Sequence, residues 1–346
     1  MKSLPGFFLA VWVTSALAAP DWEKANPIQP LPKPPLGIDS QWSDLKDPPT
    51  PESVRLGRWL FFDKRLSADG TISCASCHVP EHAFSERTPV STGIRGQKGG
   101  RKAPSFVNQA WALYPNFFWD GRASSLETQA GGPMENPIEM GNTHAAVVNT
   151  CSQVSGYKKY FKEAFGSEDV SIDRIKRAIA DYERTRMSGN SAYDRFIDGD
   201  KSALSAEAQT GMDLFFGKAE CNQCHLGQNL SDSLFHNLGI GWNPKSKKFA
   251  DQGRIVVSKK KEDLGAFKTP TVRDVTKHPP YMHDGSIRTL REVVDHYNKG
   301  GHKNPQLSPK IRPLHMNEKE VAAIVAFMES LDGEGYMDKA PASFPQ

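Results

Sequence analysis

The sequence predicts a mainly α-helical protein built from two related domains, with long loops and few strands. Apolar residues recur at helical spacing in several segments, whereas the alternation typical of strands is sparse. The phrase Gly-x-x-Leu-Phe-Phe occurs at 57–62 and again at 211–216, and each copy precedes a Cys-x-x-Cys-His string. This weak internal repeat predicts two related modules, each with a helix, a cysteine-containing turn and further helices.

The two Cys-x-x-Cys-His strings predict two covalently bound c-type haems. In such a string the thiols form thioethers with the haem vinyl groups, and the adjacent imidazole binds the iron. A zinc site or a redox dithiol can share this spacing, but two copies, each with its histidine, favour haem. The predicted residues are Cys74, Cys77 and His78 for the first haem, and Cys221, Cys224 and His225 for the second. The fifth cysteine, Cys151, is predicted to be a small buried side chain.

The order of segments predicts an exported protein. Residues 1–18 combine a positive start, an apolar stretch and an Ala-x-Ala cleavage site, which is typical of a signal peptide. We place a proline-rich arm at 19–50, the first cytochrome c-like domain at 51–190 and the second cytochrome c-like domain at 191–346. The apolar stretch is short for a membrane span, so we expect a soluble periplasmic protein. A net charge of +3 is too small to indicate nucleic-acid binding.

Two amphipathic helices are predicted near the C-terminus. Apolar spacing indicates one helix from Ile287 to Tyr297 and another from Asn317 to Leu331. The second begins with Asn317 followed three residues later by Glu320, in the manner of a capping box.

Three long motifs carry a family resemblance. They are Phe118–Ala123 followed by Gln129–Met140, then Phe267–Val275, then Pro280–Gly285. Together they resemble the bacterial dihaem cytochrome c peroxidase family, which includes MauG, and the likeness runs from about Arg55 to Asp332. The resemblance implies a haem-dependent oxidoreductase in which hydrogen peroxide reacts at the first haem and the second haem passes electrons to it.

The resemblance also assigns roles to residues around the first haem. His78 becomes the proximal ligand of the peroxidatic iron, and Glu139 becomes the acid–base that moves a proton between the peroxide oxygens. Trp119 corresponds to the tryptophan between the two haems. The remaining implied pocket residues are Phe118, Gln129 and Pro133, while Asp120 and Arg122 are expected to hold the loop by a charged hydrogen bond.

The resemblance places the sixth ligand of the second haem at Tyr297, where typical peroxidases have methionine. This departure is similar to the MauG-like branch. A phenolate favours ferric and higher-valent iron, so the second haem is expected to have a low potential and to help store oxidising equivalents. His296 is the alternative ligand, because adjacent helical residues point about 100° apart and only one can face the iron.

A second departure concerns the distal side of the first haem. Many members have a histidine there that caps the iron until the other haem is reduced, and Ile94 falls at that position. His82 is expected to be a local structural residue. The first haem is therefore predicted to be open and to react with peroxide without prior reduction.

Two further departures limit the resemblance. The calcium ligands of the family map to Lys102, His278 and Pro280, and an ammonium cannot bind a cation. Either the ion is absent and the Lys102 charge partly substitutes for it, or waters and another oxygen donor complete the site. The surface tryptophan through which MauG draws electrons from its protein substrate corresponds to Ala219.

Three functions remain open at this stage. The first is MauG-like oxidation of tryptophan or tyrosine in a periplasmic protein substrate. The second is a peroxide-detoxifying peroxidase reduced by a small cytochrome c or a cupredoxin. The third is a non-enzymatic dihaem electron carrier, against which the complete motif around Glu139 argues. The sequence is compatible with a monomer or a homodimer.

Overall fold

The computed structural model describes residues 21–346, and helices dominate it. The helices are α1 Asp21–Ala25, α2 Pro51–Phe62, α3 Leu126–Glu135, α4 His144–Gln153, α5 Ser155–Phe165, α6 Ile172–Arg184, α7 Ala192–Asp198, α8 Ala206–Phe216, α9 Ile255–Ser258, α10 Leu290–Asn298 and α11 Glu318–Glu329. The strands have two or three residues each: β1 Phe235–Asn237, β2 Trp242–Asn243, β3 Lys248–Phe249 and β4 Ala266–Lys268. β1 pairs with β4 and β2 with β3, both antiparallel. The predicted mainly α class with few strands is confirmed.

The predicted signal peptide, residues 1–18, lies outside the described residues. Within 21–346, none of the helices has the length and apolar character needed to cross a membrane.

Each module contains a close helix crossing at the repeated glycine. A Cβ atom on Gly57 of α2 would lie 1.8 Å from the carbonyl oxygen of Ala178 on α6. A Cβ atom on Gly211 of α8 would lie 1.8 Å from the carbonyl oxygen of Ala323 on α11. Only glycine permits this approach of two backbones. The internal sequence repeat therefore reflects one type of close helix–helix contact, which occurs once in each module.

The C-terminal helices are close to their predicted bounds. Asn317 caps α11, its side chain accepting from the backbone N–H of Glu320 at 3.1 Å, and the Glu320 carboxylate accepts from the Asn317 N–H at 2.9 Å. The predicted capping box is confirmed. α10 begins at Leu290 instead of Ile287, because Thr289 caps it and Ile287 forms a β-bridge with Tyr281.

The segment from 26 to 50 has one short 3-10 turn, Trp42–Asp44, and no α-helix or strand. It contacts the second module where the carbonyl of Gly37 accepts from Arg273 at 3.2 Å. It contacts the first module where Trp42 packs against Trp111 with ring centroids 4.9 Å apart. The predicted domain boundaries remain predictions.

Candidate haem sites

The two Cys-x-x-Cys-His strings adopt the same tight turn. In the first, the backbone N–H groups of Cys77 and His78 both donate to the carbonyl of Cys74, at 3.3 and 2.9 Å. In the second, those of Cys224 and His225 donate to the carbonyl of Cys221 at 3.2 and 2.9 Å. Both turns are one-turn 3-10 helices whose cysteines line a cavity. This is the arrangement that attachment of a planar group through two thiols requires.

Each turn also fixes the orientation of its imidazole. Nδ1 of His78 lies 2.8 Å from the carbonyl oxygen of Phe84, and Nδ1 of His225 lies 3.0 Å from that of Leu230. Nδ1 is therefore the protonated nitrogen, and Nε2 is left free as a ligand atom. Burial lowers the pKa of both histidines, which favours the neutral form that binds a metal.

The first cavity has a volume of about 530 Å³ and contains the predicted pocket residues. Its lining includes Cys74, Cys77, His78, Phe118, Trp119, Gln129, Pro133 and Glu139. His78 is the one histidine among the described residues that line it. Ile94 is buried, and its side chain packs towards Gly141 outside the lining. That the first haem is open to peroxide remains a prediction.

Glu139 is held at the wall of the first cavity. Its Oε1 accepts from the Asn136 side-chain amide at 2.9 Å, and its backbone carbonyl accepts from the Ile94 N–H at 2.9 Å. Burial raises the pKa of the Glu139 carboxyl, while Arg122 and Asn136 oppose that rise. A carboxyl with a raised pKa accepts a proton more readily than an exposed glutamate, which suits a group that must take up a proton and return it.

Arg122 closes the rim beside this carboxyl. Its guanidinium pairs with Asp120 at 3.0 Å and lies 3.6 Å from the centroid of the Phe118 ring. Phe118 itself has a positive φ of 63°, so the loop places this ring in the pocket at a conformational cost. The predicted Asp120–Arg122 contact is present, and the cation–π contact of Arg122 with Phe118 adds to it.

The second cavity has a volume of about 200 Å³ and is lined by both His225 and Tyr297. His296 does not line it: its Nε2 lies 3.0 Å from the carbonyl oxygen of Leu238. None of the hydrogen bonds found within residues 21–346 involves the Tyr297 hydroxyl. Burial raises the pKa of the Tyr297 phenol, so a nearby cation would be needed to stabilise its phenolate form.

Trp119 lies between the two cavities and lines both. Its indole N–H donates to the carbonyl of Lys102 at 2.7 Å, and its own carbonyl accepts from the N–H of Lys268 at 2.8 Å. The first of these bonds comes from the first module and the second from β4 of the second module. The ring is thus held at the contact between the modules.

Three charged residues of the cavities were not predicted from the sequence. Glu183 at the end of α6 lines the first cavity, and its Oε2 has no hydrogen-bond partner among the described residues. Burial raises its pKa to about 8. Lys268 lines both cavities, and Arg101 joins the modules by pairing with Asp120 and Asp251 at 2.7 and 2.6 Å. Lys268 lies within the Phe267–Val275 motif, but no role was assigned to any of the three, because their positions at the cavities depend on tertiary packing.

Cys224 of the second haem string also belongs to a group of three potential metal ligands. Cys224, Asp232 and His236 have potential ligand atoms within 4.8 Å of one another. His236 pairs with Asp232 at 2.8 Å, which gives this imidazole a partner without any metal. Cys224 cannot serve as a thiolate ligand there once it forms a thioether.

The residues at the family's calcium positions do not fit calcium. Calcium requires six to eight oxygen ligands, whereas Lys102 is a buried lysine whose ammonium contacts the carbonyl of Glu86. The haem positions do fit their group: each has two thiols, an oriented imidazole and a cavity beside them.

Two helical modules, each with a Cys-x-x-Cys-His turn at a cavity, define a two-haem protein of the c type. The description "Di-haem cytochrome c peroxidase" belongs to the family model that matches residues 51–202. The methylamine utilization protein MauG of Methylorubrum extorquens is 41% identical over 289 residues, which are 83% of this chain and 80% of that protein. The cytochrome c551 peroxidase of Nitrosomonas europaea is 38% identical over 288 residues, 82% of each chain.

A solved structure agrees with these relatives. The crystal structure of a MauG-like protein associated with microbial copper homeostasis superposes with a TM-score of 0.78 and 32% identity, covering 91% of this chain and 97% of that chain. The protein described here belongs to the dihaem cytochrome c peroxidase family and is a haem oxidoreductase. Membership implies two haem c groups, hydrogen peroxide as oxidant and a redox partner.

Proposed function

We propose that this protein is a periplasmic enzyme that activates hydrogen peroxide at the first haem and oxidises a partner protein through the second. The partner residues would be tryptophan or tyrosine, as the MauG-like branch suggests. The haems, bound covalently through the four cysteines of the two strings, supply the redox-active irons and the electron reservoir. The remaining steps belong to side chains of this chain.

In the first cavity, His78 would bind the haem iron, and its hydrogen bond to the Phe84 carbonyl would fix the orientation of the imidazole. Glu139 would act as the acid–base. Glu139 would accept one proton from hydrogen peroxide and return it to the oxygen that leaves as water, while the haem held by Cys74, Cys77 and His78 would supply the electrons for cleavage of the oxygen–oxygen bond. The contact with Asn136 at 2.9 Å orients the carboxylate for this transfer. Phe118 and Pro133 reduce the water content around it, which strengthens its electrostatic influence.

Between the cavities, Trp119 would conduct electrons from the second haem to the first. It lines both cavities. Its indole N–H is bonded to the Lys102 carbonyl, and its backbone carbonyl is bonded to the Lys268 N–H. A rigidly held aromatic ring needs little reorganisation when it takes part in electron transfer.

The observation that carries the MauG-like proposal is Tyr297 in the lining of the second cavity. It shares that cavity with His225, whereas His296 is turned to the Leu238 carbonyl. An anionic oxygen ligand stabilises the oxidised second haem, so that this haem can share oxidising equivalents with the first.

Substitution of Tyr297 tests this proposal. Tyr297→Phe should change the absorption and electron paramagnetic resonance spectra of the second haem and abolish any peroxide-induced change that involves both haems. Tyr281 is another tyrosine in the lining of the same cavity, so Tyr281→Phe is the matched control. Tyr297 is not the ligand if Tyr297→Phe leaves the second-haem spectrum as unchanged as the control does.

A detoxifying peroxidase is the second candidate, and Ala219 favours it. The side chain at the position of MauG's surface tryptophan is small, and only 6% of Ala219 is exposed. The MauG route to a protein substrate is therefore not available at this position. Rapid, catalytic oxidation of a reduced small cytochrome c or cupredoxin by peroxide would support this candidate.

A further inference from the structure

Lys102 is a buried cation at the contact between the two modules. It is 3% exposed. Its backbone N–H donates to the carbonyl of His283 at 2.8 Å, and its own carbonyl accepts the indole N–H of Trp119 at 2.7 Å. The residue is thus bonded both to the second module and to the ring that lines both cavities.

The ammonium group lies among polar groups that leave it without an ion-pair partner. Its Nζ donates to the carbonyl of Glu86. The Glu86 carboxylate is occupied elsewhere: Oε1 accepts from the Ala103 N–H and the Ser91 hydroxyl, and Oε2 accepts from the Thr88 hydroxyl, each at 2.6 Å. No carboxylate among the described residues lies within 4.0 Å of the ammonium. Burying such a charge without a counter-ion is costly.

His278 supports the same interpretation from the other side of the junction. Its Nε2 is buried and has no hydrogen-bond partner among residues 21–346. A histidine at this position supplies no negative charge that could pair with the Lys102 ammonium. Arg101 also lies at this contact, but its charge is paired with Asp120 and Asp251, and Lys268 belongs to the second module. Lys102 is therefore the unpaired cation that the first module contributes to the junction.

We propose that the Lys102 ammonium is the resident cation of this junction, in place of a bound divalent ion. An ammonium has three donors and no acceptor, so it repels a metal ion where an oxygen ligand would bind it. Because this cation is part of the chain, the charge at the junction does not depend on calcium or on chelators. The predicted effects on the haem spectra and midpoint potentials rest on the proposed function, in which the protein binds two haems.

The first measurement is a calorimetric titration of the EGTA-treated, haem-loaded wild-type protein with CaCl2. The proposal predicts no saturable binding and no change in the haem spectra. Lys102→Asn supplies an amide oxygen and removes the competing charge, so this variant should gain saturable calcium binding. Lys102→Met removes the charge without adding a ligand and should not bind calcium.

The haem midpoint potentials provide a second readout that a merely structural role would not predict. Loss of a buried positive charge makes reduction less favourable, so both variants should show lowered potentials. Calcium should raise the potentials of Lys102→Asn again and leave those of Lys102→Met unchanged. Lys98→Asn is the control, because Lys98 is an exposed lysine whose Nζ contacts the Thr92 hydroxyl. It should behave as the wild type.

Two results would overturn the proposal. One is binding of one calcium per wild-type chain, which decides the question even if the variants do not accumulate as haem-loaded protein. The other is Lys102→Met with wild-type potentials. If the proposed function is wrong but the proposal for Lys102 is right, the protein will not react with peroxide and will still bind no calcium.

Discussion

The Arg273–Asp194 ion pair is expected to be a main support of the second module and of the arm that crosses it. Both side chains are 2% exposed. The two guanidinium nitrogens donate to the two carboxylate oxygens at 2.8 and 2.9 Å, and Arg273 also donates to the carbonyl of Gly37 in the arm. Asp194→Asn keeps the shape but leaves the buried guanidinium without its counter-charge. Breaking a buried pair in this way costs about 3–5 kcal/mol.

The assay is guanidinium chloride unfolding of the haem-loaded protein, followed by far-ultraviolet circular dichroism. Asp295→Asn is the control, because its pair with Arg291 at 3.1 Å is exposed and screened by solvent and should contribute little to stability. A loss for Asp194→Asn no larger than that of the control would refute the reasoning.

The same pair predicts a pH dependence. Burial alone would raise the pKa of Asp194, but the bonds to Arg273 outweigh burial and lower it. A lowered folded-state pKa means that the stabilisation is complete above the unfolded-state pKa, about 3.9, and is lost as pH falls through the folded-state value. The stability difference between wild type and Asp194→Asn should thus be constant near neutral pH and shrink only in strong acid.

Two further substitutions test the site and the fold. Glu139→Gln should retain peroxide binding but slow the reaction about 10²–10⁴-fold in stopped-flow mixing, and it should abolish the fall in rate that the wild type shows as acid protonates Glu139. An undiminished rate removes Glu139 from the mechanism. Gly211→Ala should destabilise the second module by about 1–3 kcal/mol, because of overpacking against Ala323. Gly100→Ala meets no atom within 4 Å and is its control, so equal unfolding midpoints would contradict the close-crossing explanation.

The parts of the fold that follow from local sequence were predictable. The haem turns depend on five consecutive residues, and the start of α11 depends on Asn317 and Glu320, which lie three residues apart. The Gly-x-x-Leu-Phe-Phe repeat was visible, but its cause was not, since the contact of Gly57 with Ala178 joins residues far apart in the chain.

The candidate site was predictable mainly through the family motifs. Glu139 and Trp119 would be unremarkable residues without the segments that surround them. Glu183 and Lys268 were missed, because α6 and β4 bring them to the cavities only through tertiary packing. Local patterning also misplaced the start of α10, where a bridge between Ile287 and Tyr281 competes with the helix.

Rapid mixing of the fully ferric protein with hydrogen peroxide, without reductant, tests the central claim most directly. The visible and near-infrared spectra report both haems at once. An open first cavity and Tyr297 at the second haem predict an immediate and persistent spectral change that involves both haems. No reaction until one haem has been reduced would contradict the account and indicate a conventional peroxidase with a hidden distal ligand.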